Sequence, residues 1–289
     1  MKGKLYSIVK IVFNEFVYGG HLLSLGGSLG FVGSIMIILD LPFAWEPILI
    51  TYLIPQIIYT YNHFKELKSD INTNPERAKY LEKKVAYFPL IVFSYIIILF
   101  ATALFFTNWQ ILLYITLLTI GGILYTTCFK KLTSKIICFK NTYIALSWAL
   151  TVFIPLLYYS LSFNVFFLLF FLFVFFRAIL NTIFFDIKDI EEDQLKKLKT
   201  LPVIIGKRRT LKVLNIINLF SFVPIIIGIL IEGVPFFVII LVVFYFYSLY
   251  YLVEAQRVSS KKIRSFSYIM VDGEYYFWPL LLLITKSII

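Results

Sequence analysis

The chain has 289 residues, 60% of them hydrophobic and only 15% charged, with a formal net charge of +11. Its mean hydropathy is +0.88. Soluble domains are about 45–50% apolar and about 25% charged, so a water-soluble globular fold is excluded.

In chain order the sequence predicts nine apolar spans, at about 19–39, 46–61, 85–106, 109–129, 142–161, 165–185, 213–230, 234–253 and 268–288. No charged residue occurs from Val85 to Phe129 or from Asn141 to Phe176. Each run is about twice the roughly 20 residues that cross a bilayer as a helix. Each is punctuated near its middle, by Thr107-Asn108-Trp109 and by Ser160 to Asn164. Each therefore reads as a helical hairpin. Backbone groups in hydrocarbon must be paired within helices or a closed barrel, and barrel strands alternate polar with apolar residues. These runs do not alternate, so the expected fold class is all-α, a polytopic membrane protein.

Orientation follows from lysine and arginine. With the N-terminus inside, 26 of the 27 basic residues fall in inner segments, Lys286 being the exception. The positive-inside rule accounts for this pattern, and the net charge adds an attraction to anionic membrane lipid. No nucleic-acid partner is expected. Lys2, Lys4 and Lys10 are followed by no small-residue cleavage site, so a cleavable signal peptide is not expected. Cys128 and Cys138 fall on or near the inner face, where thiols stay reduced.

The acidic residues gather in two places. Asn62, Glu66 and Asp70 follow the second span, and Asp186, Asp189 and Asp193 follow the sixth. Spacings of four keep side chains on one helix face, so each set forms an oxygen-rich ladder, with Asp186 one turn deeper. Both ladders are expected at helix C-termini, where the macrodipole disfavours anions, which makes more sense if cations complete the site. All-oxygen ligands suit a hard divalent cation such as Mg²⁺, which binds through one or two carboxylates plus substrate phosphates. Lys65, Lys68, Arg77, Lys130, Lys131, Lys140, Arg177 and Lys188 lie interleaved or nearby. Together these groups suit a diphosphate. His21 and His63 are isolated, which argues against zinc. Acids at the inner rim rather than at mid-membrane argue against a secondary transporter.

At these residues the chain resembles the UbiA superfamily of intramembrane prenyltransferases. The first motif reads Asn62-x3-Glu66-x3-Asp70 followed by Asn74-Pro75-Glu76-Arg77. The second reads Asp186-x2-Asp189-x3-Asp193 followed by Lys199-Thr200-Leu201-Pro202. Leu124-Tyr125, Lys130-Lys131 and Lys140-Asn141 are similar to the family's segment between helices four and five. The resemblance spans residues 1–289 as a single domain, with motif loops at about 62–84 and 186–212. It implies nine transmembrane helices around a cytoplasm-facing cavity in the cell membrane, and a role in isoprenoid biosynthesis. Two Mg²⁺ ions held by Asn62, Glu66, Asp70, Asp186, Asp189 and Asp193 would clamp an isoprenyl diphosphate, with Asp70, Asp189 and Asp193 catalytic. Lys130, Lys131, Arg177, Tyr125 and Lys188 are the expected diphosphate contacts. The prenyl group would pass to a lipophilic or aromatic acceptor.

Some residues depart from the family pattern. Glu66 replaces the usual aspartate, and His63 stands where an aspartate is often found. The first span, Gly20-His21-Leu22-Leu23-Ser24-Leu25-Gly26-Gly27, lacks an arginine for an acceptor carboxylate. A membrane terpene cyclase, which uses no acceptor, therefore stays open as an alternative. His21 is expected to serve helix packing, as are the small residues Gly19, Gly20, Gly26, Gly27, Ser28 and Gly30. Asp272-Gly273, opening the last span, reads as a helix start or, alternatively, as a cavity-facing carboxylate, the former being favoured.

Overall fold

The computed structural model describes residues 2–73, 75–258 and 260–289, without the side chains of 2–9, 68–70, 72–73, 260–262 and 264–268. All regular structure among the described residues is helical. An N-terminal helix α1 (Lys2–Tyr18) turns through Gly20 into α2 (His21–Ile38). Gly20 has φ +82, a conformation glycine adopts without steric cost. Helix α3 (Glu46–Thr73) is followed by the short α4 (Pro75–Glu82). Two hairpins come next, α5 (Phe88–Phe106) with α6 (Trp109–Thr127), then α7 (Phe139–Tyr158) with α8 (Val165–Asp186). The chain ends in α9 (Lys207–Leu230), α10 (Phe236–Arg257) and α11 (Ser260–Ile288).

The hairpin turns fall where the polar punctuation predicts them. Asn108 Oδ1 accepts from the Ile111 amide at 3.0 Å, and Asn164 Oδ1 from the Phe166 amide at 3.1 Å. Each caps the helix that follows, satisfying an otherwise orphaned N–H.

Seven helical segments among the described residues are long and apolar enough to cross a membrane. Their outward faces carry large apolar side chains, such as Phe105 at 82% exposure. Such a surface is at home in lipid and not in water. The chain is a multi-pass membrane protein. Helix α8, like α2, is largely enclosed, its Phe166, Phe167, Phe170 and Phe173 packing with Phe31, Trp148 and Trp278.

Glycines let α2 approach its neighbours. A Cβ on Gly27 would stand 2.5 Å from the Trp148 ring, and one on Gly26 2.7 Å from Tyr276. At Gly30 it would meet the Tyr275 carbonyl oxygen at 2.8 Å. The packing role expected of these small residues is therefore seen, and it draws α2, α7 and α11 around α8.

Candidate active site

Helix α8 delivers the second acid cluster. Asp186 is its last residue; a 3-10 turn over Ile187–Asp189 and a short helix, Ile190–Leu195, follow. The expected continuous ladder is thus broken between Asp186 and Asp193. Asp186, Asp189, Glu192 and Asp193 nevertheless line one cavity of about 330 Å³.

Asn62 and Glu66 of α3 line the same cavity, and Asn62 Nδ2 donates to Glu66 Oε2 at 3.2 Å. The spacing of four does place them on one face. Their expected position at a helix C-terminus is corrected, because α3 runs on to Thr73. The macrodipole penalty therefore falls on Asp186 and not on this pair. The side chain of Asp70, and all of Asn74, lie outside the described residues.

Cations meet these acids directly. Lys130 pairs with Glu66, and Lys188 Nζ is 3.4 Å from Asp189. Lys140 Nζ donates to Asp186 Oδ1 at 2.6 Å, and Asn141 Nδ2 donates to Oδ2 at 2.7 Å. The Thr200 hydroxyl donates to Asp193 Oδ2 at 3.0 Å. Among the described residues no three His, Cys, Asp or Glu side chains stand close enough to hold a metal ion as they are. The donor set is all oxygen, and Asn141 Oδ1 is buried without a hydrogen-bond partner beside Asp186. That chemistry fits a hard divalent cation once the lysines, on flexible stems, move off the acids.

The other residues singled out from the sequence separate clearly. Tyr125 is buried on the cavity wall, its ring stacked on Tyr143 at 4.9 Å between centroids. His63 also lines the wall. Lys131 is exposed and off the wall, so it does not reach the site. His21 holds the Tyr52 hydroxyl at 2.7 Å through Nδ1, in the packing role expected.

Arg177 is placed elsewhere. It is 2% exposed and off the cavity wall. Its Nε donates to Glu274 Oε1 at 3.1 Å, and Nη2 reaches both carboxylate oxygens of Glu274 at 2.5 Å. Nη1 donates to Asn218 Oδ1 at 2.7 Å and Nη2 to Ser248 Oγ at 2.6 Å. The expected diphosphate contact is corrected on physical grounds: moving this guanidinium would strand Glu274 in the bundle core.

Of the two readings of Asp272, the structure favours the cavity-facing carboxylate over the helix start. It lies well inside α11, which starts at Ser260, so it does not open the helix. It lines the cavity with Asn181 and Thr182 of α8. Lys140, one of the cations expected near the acids, belongs to the site, and so do Asn181 and Tyr59. Lys140 and Asn141 carried a signal, as the first polar pair after the loop; Asn181 and Tyr59 carried none.

Near the cavity mouth, Val17 and Tyr18 of α1 join the wall. Tyr80 and Lys84 both donate to Glu15 of α1, and the Tyr18 hydroxyl donates to Glu76 at 2.9 Å. Hydrogen bonds from His21, Lys84 and Tyr80 hold the Glu15 carboxyl down at about 2 despite its partial burial. Below the polar cavity, Ile54, Ile58, Gly122, Ile144 and Trp148 bound an apolar pocket of about 60 Å³. Tyr59 and Tyr125 line both spaces.

Solved structures share this fold. A UbiA homologue from Aeropyrum pernix K1 superposes with a TM-score of 0.68 at 16% identity, over 92% of this chain and 96% of its own. A UbiA homologue from Archaeoglobus fulgidus, bound to DMAPP and Mg²⁺, gives 0.66 at 17% identity over 96% and 99%. A structure of a digeranylgeranylglyceryl phosphate synthase gives 0.62 at 13% identity over 97% and 100%. No curated protein matches the chain. The sequence profile of the UbiA prenyltransferase family matches residues 28–278, well over half of the chain, and the protein belongs to that family.

Proposed function

We propose that this chain is a Mg²⁺-dependent intramembrane prenyltransferase that moves an isoprenyl group from an isoprenyl diphosphate to a lipophilic or aromatic acceptor. The observation that carries the reading is the meeting of both acid clusters on one cavity, with lysines between them and an apolar pocket adjoining. Homologues of the same fold with DMAPP and Mg²⁺ or GPP and Mg²⁺ bound support it. Helices α3 and α11, of 28 and 29 residues, would complete nine spans in the cell membrane. The whole chain is read as one domain, with its N-terminus and motif loops cytoplasmic, as its basic residues suggest.

Asn62, Glu66 and Asp70 on α3, and Asp186, Asp189 and Asp193 after α8, would hold the Mg²⁺. When bound, the metal supplies positive charge that neutralises the departing diphosphate. Lys130, Lys140 and Lys188 would release their carboxylates and turn to phosphate oxygens, adding donors where negative charge builds up in the transition state. Tyr59 and Tyr125 stand between the polar cavity and the apolar pocket. There they would shield the allylic cation from water and offer it aromatic faces. The pocket beneath takes the prenyl chain.

Purified protein in detergent, given Mg²⁺ and a panel of isoprenyl diphosphates, tests the reading. Diphosphate release that needs both Mg²⁺ and an acceptor is expected. Release without an acceptor, with a cyclised product, would instead make the protein a terpene cyclase.

A further inference from the structure

We infer that Asp272, together with Asn181, is the acceptor site of this enzyme, binding the hydroxyl of an uncharged acceptor and taking its proton as the prenyl group arrives. The inference rests on the prenyltransferase reading and adds the acceptor's chemical class and the base.

Asp272 is 4% exposed, yet it lines the cavity. Its one hydrogen-bond donor among the described residues is Asn181, whose Nδ2 is 3.2 Å from Oδ1. A carboxylate offers about four acceptor positions, so most of its capacity is unspent. Of the other buried carboxylates, Asp193 takes Thr200 alone within the acid motif, whereas Asp186 and Glu274 are better served. Asp186 takes a lysine and an asparagine, and Glu274 takes Arg177, Ser248 and Trp278. The Lys188 charge on the same cavity offsets part of the cost of burying this carboxylate, and its spare oxygen capacity on the wall is suited to a ligand that donates a hydrogen bond.

Its depth fits an acceptor. Asn181 precedes Asp186 by five residues on α8, which sets it roughly 7.5 Å farther into the membrane at 1.5 Å per residue. The Asp272–Asn181 pair therefore lies on the hydrocarbon side of the acid motif, where the prenyl C1 would emerge from the diphosphate clamp. Tyr59 and Asn181 also bound a smaller pocket of about 20 Å³ beside it.

The pair defines what it binds. An acceptor hydroxyl donates to Asp272, and the second N–H of Asn181 can donate to the acceptor's oxygen. A carboxylate-bearing acceptor would meet the Asp272 charge at close range and be rejected. In the transfer, the acceptor oxygen forms a bond to C1 of the prenyl group while the C1–O bond to diphosphate breaks. The diphosphate leaves with that electron pair, and the hydroxyl proton passes to the Asp272 carboxylate.

The test uses the full chain in lipid nanodiscs with geranyl diphosphate and Mg²⁺. Methyl 4-hydroxybenzoate and dioleoylglycerol serve as neutral hydroxyl acceptors, and 4-hydroxybenzoate as the matched anion. The wild type should use a neutral acceptor and discriminate against the anion by about tenfold or more. D272N should lose about 100-fold in product formation while binding geranyl diphosphate within about threefold of wild type, and D272E should recover part of the loss. N181A should raise the acceptor KM. Transfer by D272N at close to the wild-type rate, parallel loss of geranyl diphosphate binding, or preference for the anion would each overturn the assignment. If the wild type binds geranyl diphosphate with Mg²⁺ but uses neither neutral acceptor, the acceptor assignment falls and the diphosphate reading stands. If it shows no such binding, both fall.

Discussion

Helix α8 carries two buried ionic clusters, and they are built in opposite ways. At Arg177 all three nitrogens donate within the bundle: Glu274, Asn218 and Ser248 surround the guanidinium, and Trp278 closes on Glu274. Nine residues on, Asp186 is equally buried but opens onto a cavity of about 330 Å³. Its neighbours Glu66 and Asp189 are matched by lysines on flexible stems. A closed network ties α8, α9, α10 and α11 together and offers nothing to a ligand. An open one pays for its repulsion with lysines that can be exchanged for another cation. Burial of charge does not separate structure from chemistry in this molecule; spare coordination does.

The comparison breaks most sharply at Asp189. Asp189→Ala should lower turnover by about 10³-fold or more, which is about 4 kcal/mol, with thermal unfolding in detergent nearly unchanged. Wild-type turnover in this variant would reduce the open cluster to a set of solvated charges. Glu274→Gln should do the reverse. Leaving Arg177 buried and unpaired costs about 3–5 kcal/mol of stability, read in denaturant unfolding, while KM for the diphosphate in the folded fraction stays the same. Replacing both partners with apolar residues, Arg177→Met with Glu274→Leu, should cost less than the single change. A raised diphosphate KM in Glu274→Gln, beyond its loss of stability, would join the two clusters into one site.

The two clusters also differ in how much of them can be read from the sequence. The hairpin turns at Asn108 and Asn164 were legible because capping is local, each asparagine bonding an amide two or three residues on. The Asn62–Glu66 pair was legible for the same reason, since four residues make one helical turn. The Arg177–Glu274 pair spans 97 residues, and no local pattern joins them. Arg177 falls inside the predicted sixth span, and its charge alone groups it with the basic residues near the acids. The helix-start reading of Asp272 is favoured over the cavity-facing one in the sequence because Lys261, Lys262 and Arg264 look like a loop before the last span. The chain stays helical through them from Ser260, which puts Asp272 well inside the helix and on the cavity wall.

A smaller effect sharpens the open cluster. Lys140 neutralises Asp186 in the structure and would face phosphate oxygens in the complex, so its removal touches both states. Lys140→Met should weaken geranyl diphosphate binding by about tenfold, the weight of one charge-assisted hydrogen bond. Lys131→Met, at an exposed lysine off the cavity wall, should leave that affinity unchanged. Isothermal titration of both variants with Mg²⁺ present makes the comparison. Equal losses would return Lys131 to the site.

The smallest effect lies at the rim, where Glu15 bonds to His21, Lys84 and Tyr80 and holds α1 against α4 beside the cavity mouth. Those bonds depress the carboxyl to about 2 from an ordinary value of 4.5. A depressed carboxyl contributes stability that is fully present above its unfolded pKa and is lost as pH falls through the folded one. The clasp should therefore hold unchanged from neutral pH down to about 5 and loosen only between about 4.5 and 2. Hydrogen exchange of α1 amides across that range measures it. Glu15→Gln should give, at neutral pH, the faster exchange that the wild type shows only in acid. If α1 exchanged equally fast in both proteins at neutral pH, the clasp would not be what holds the helix at the mouth. The apolar face that α1 exposes at Ile11, Val12 and Phe13 would then have to hold it there by resting in lipid.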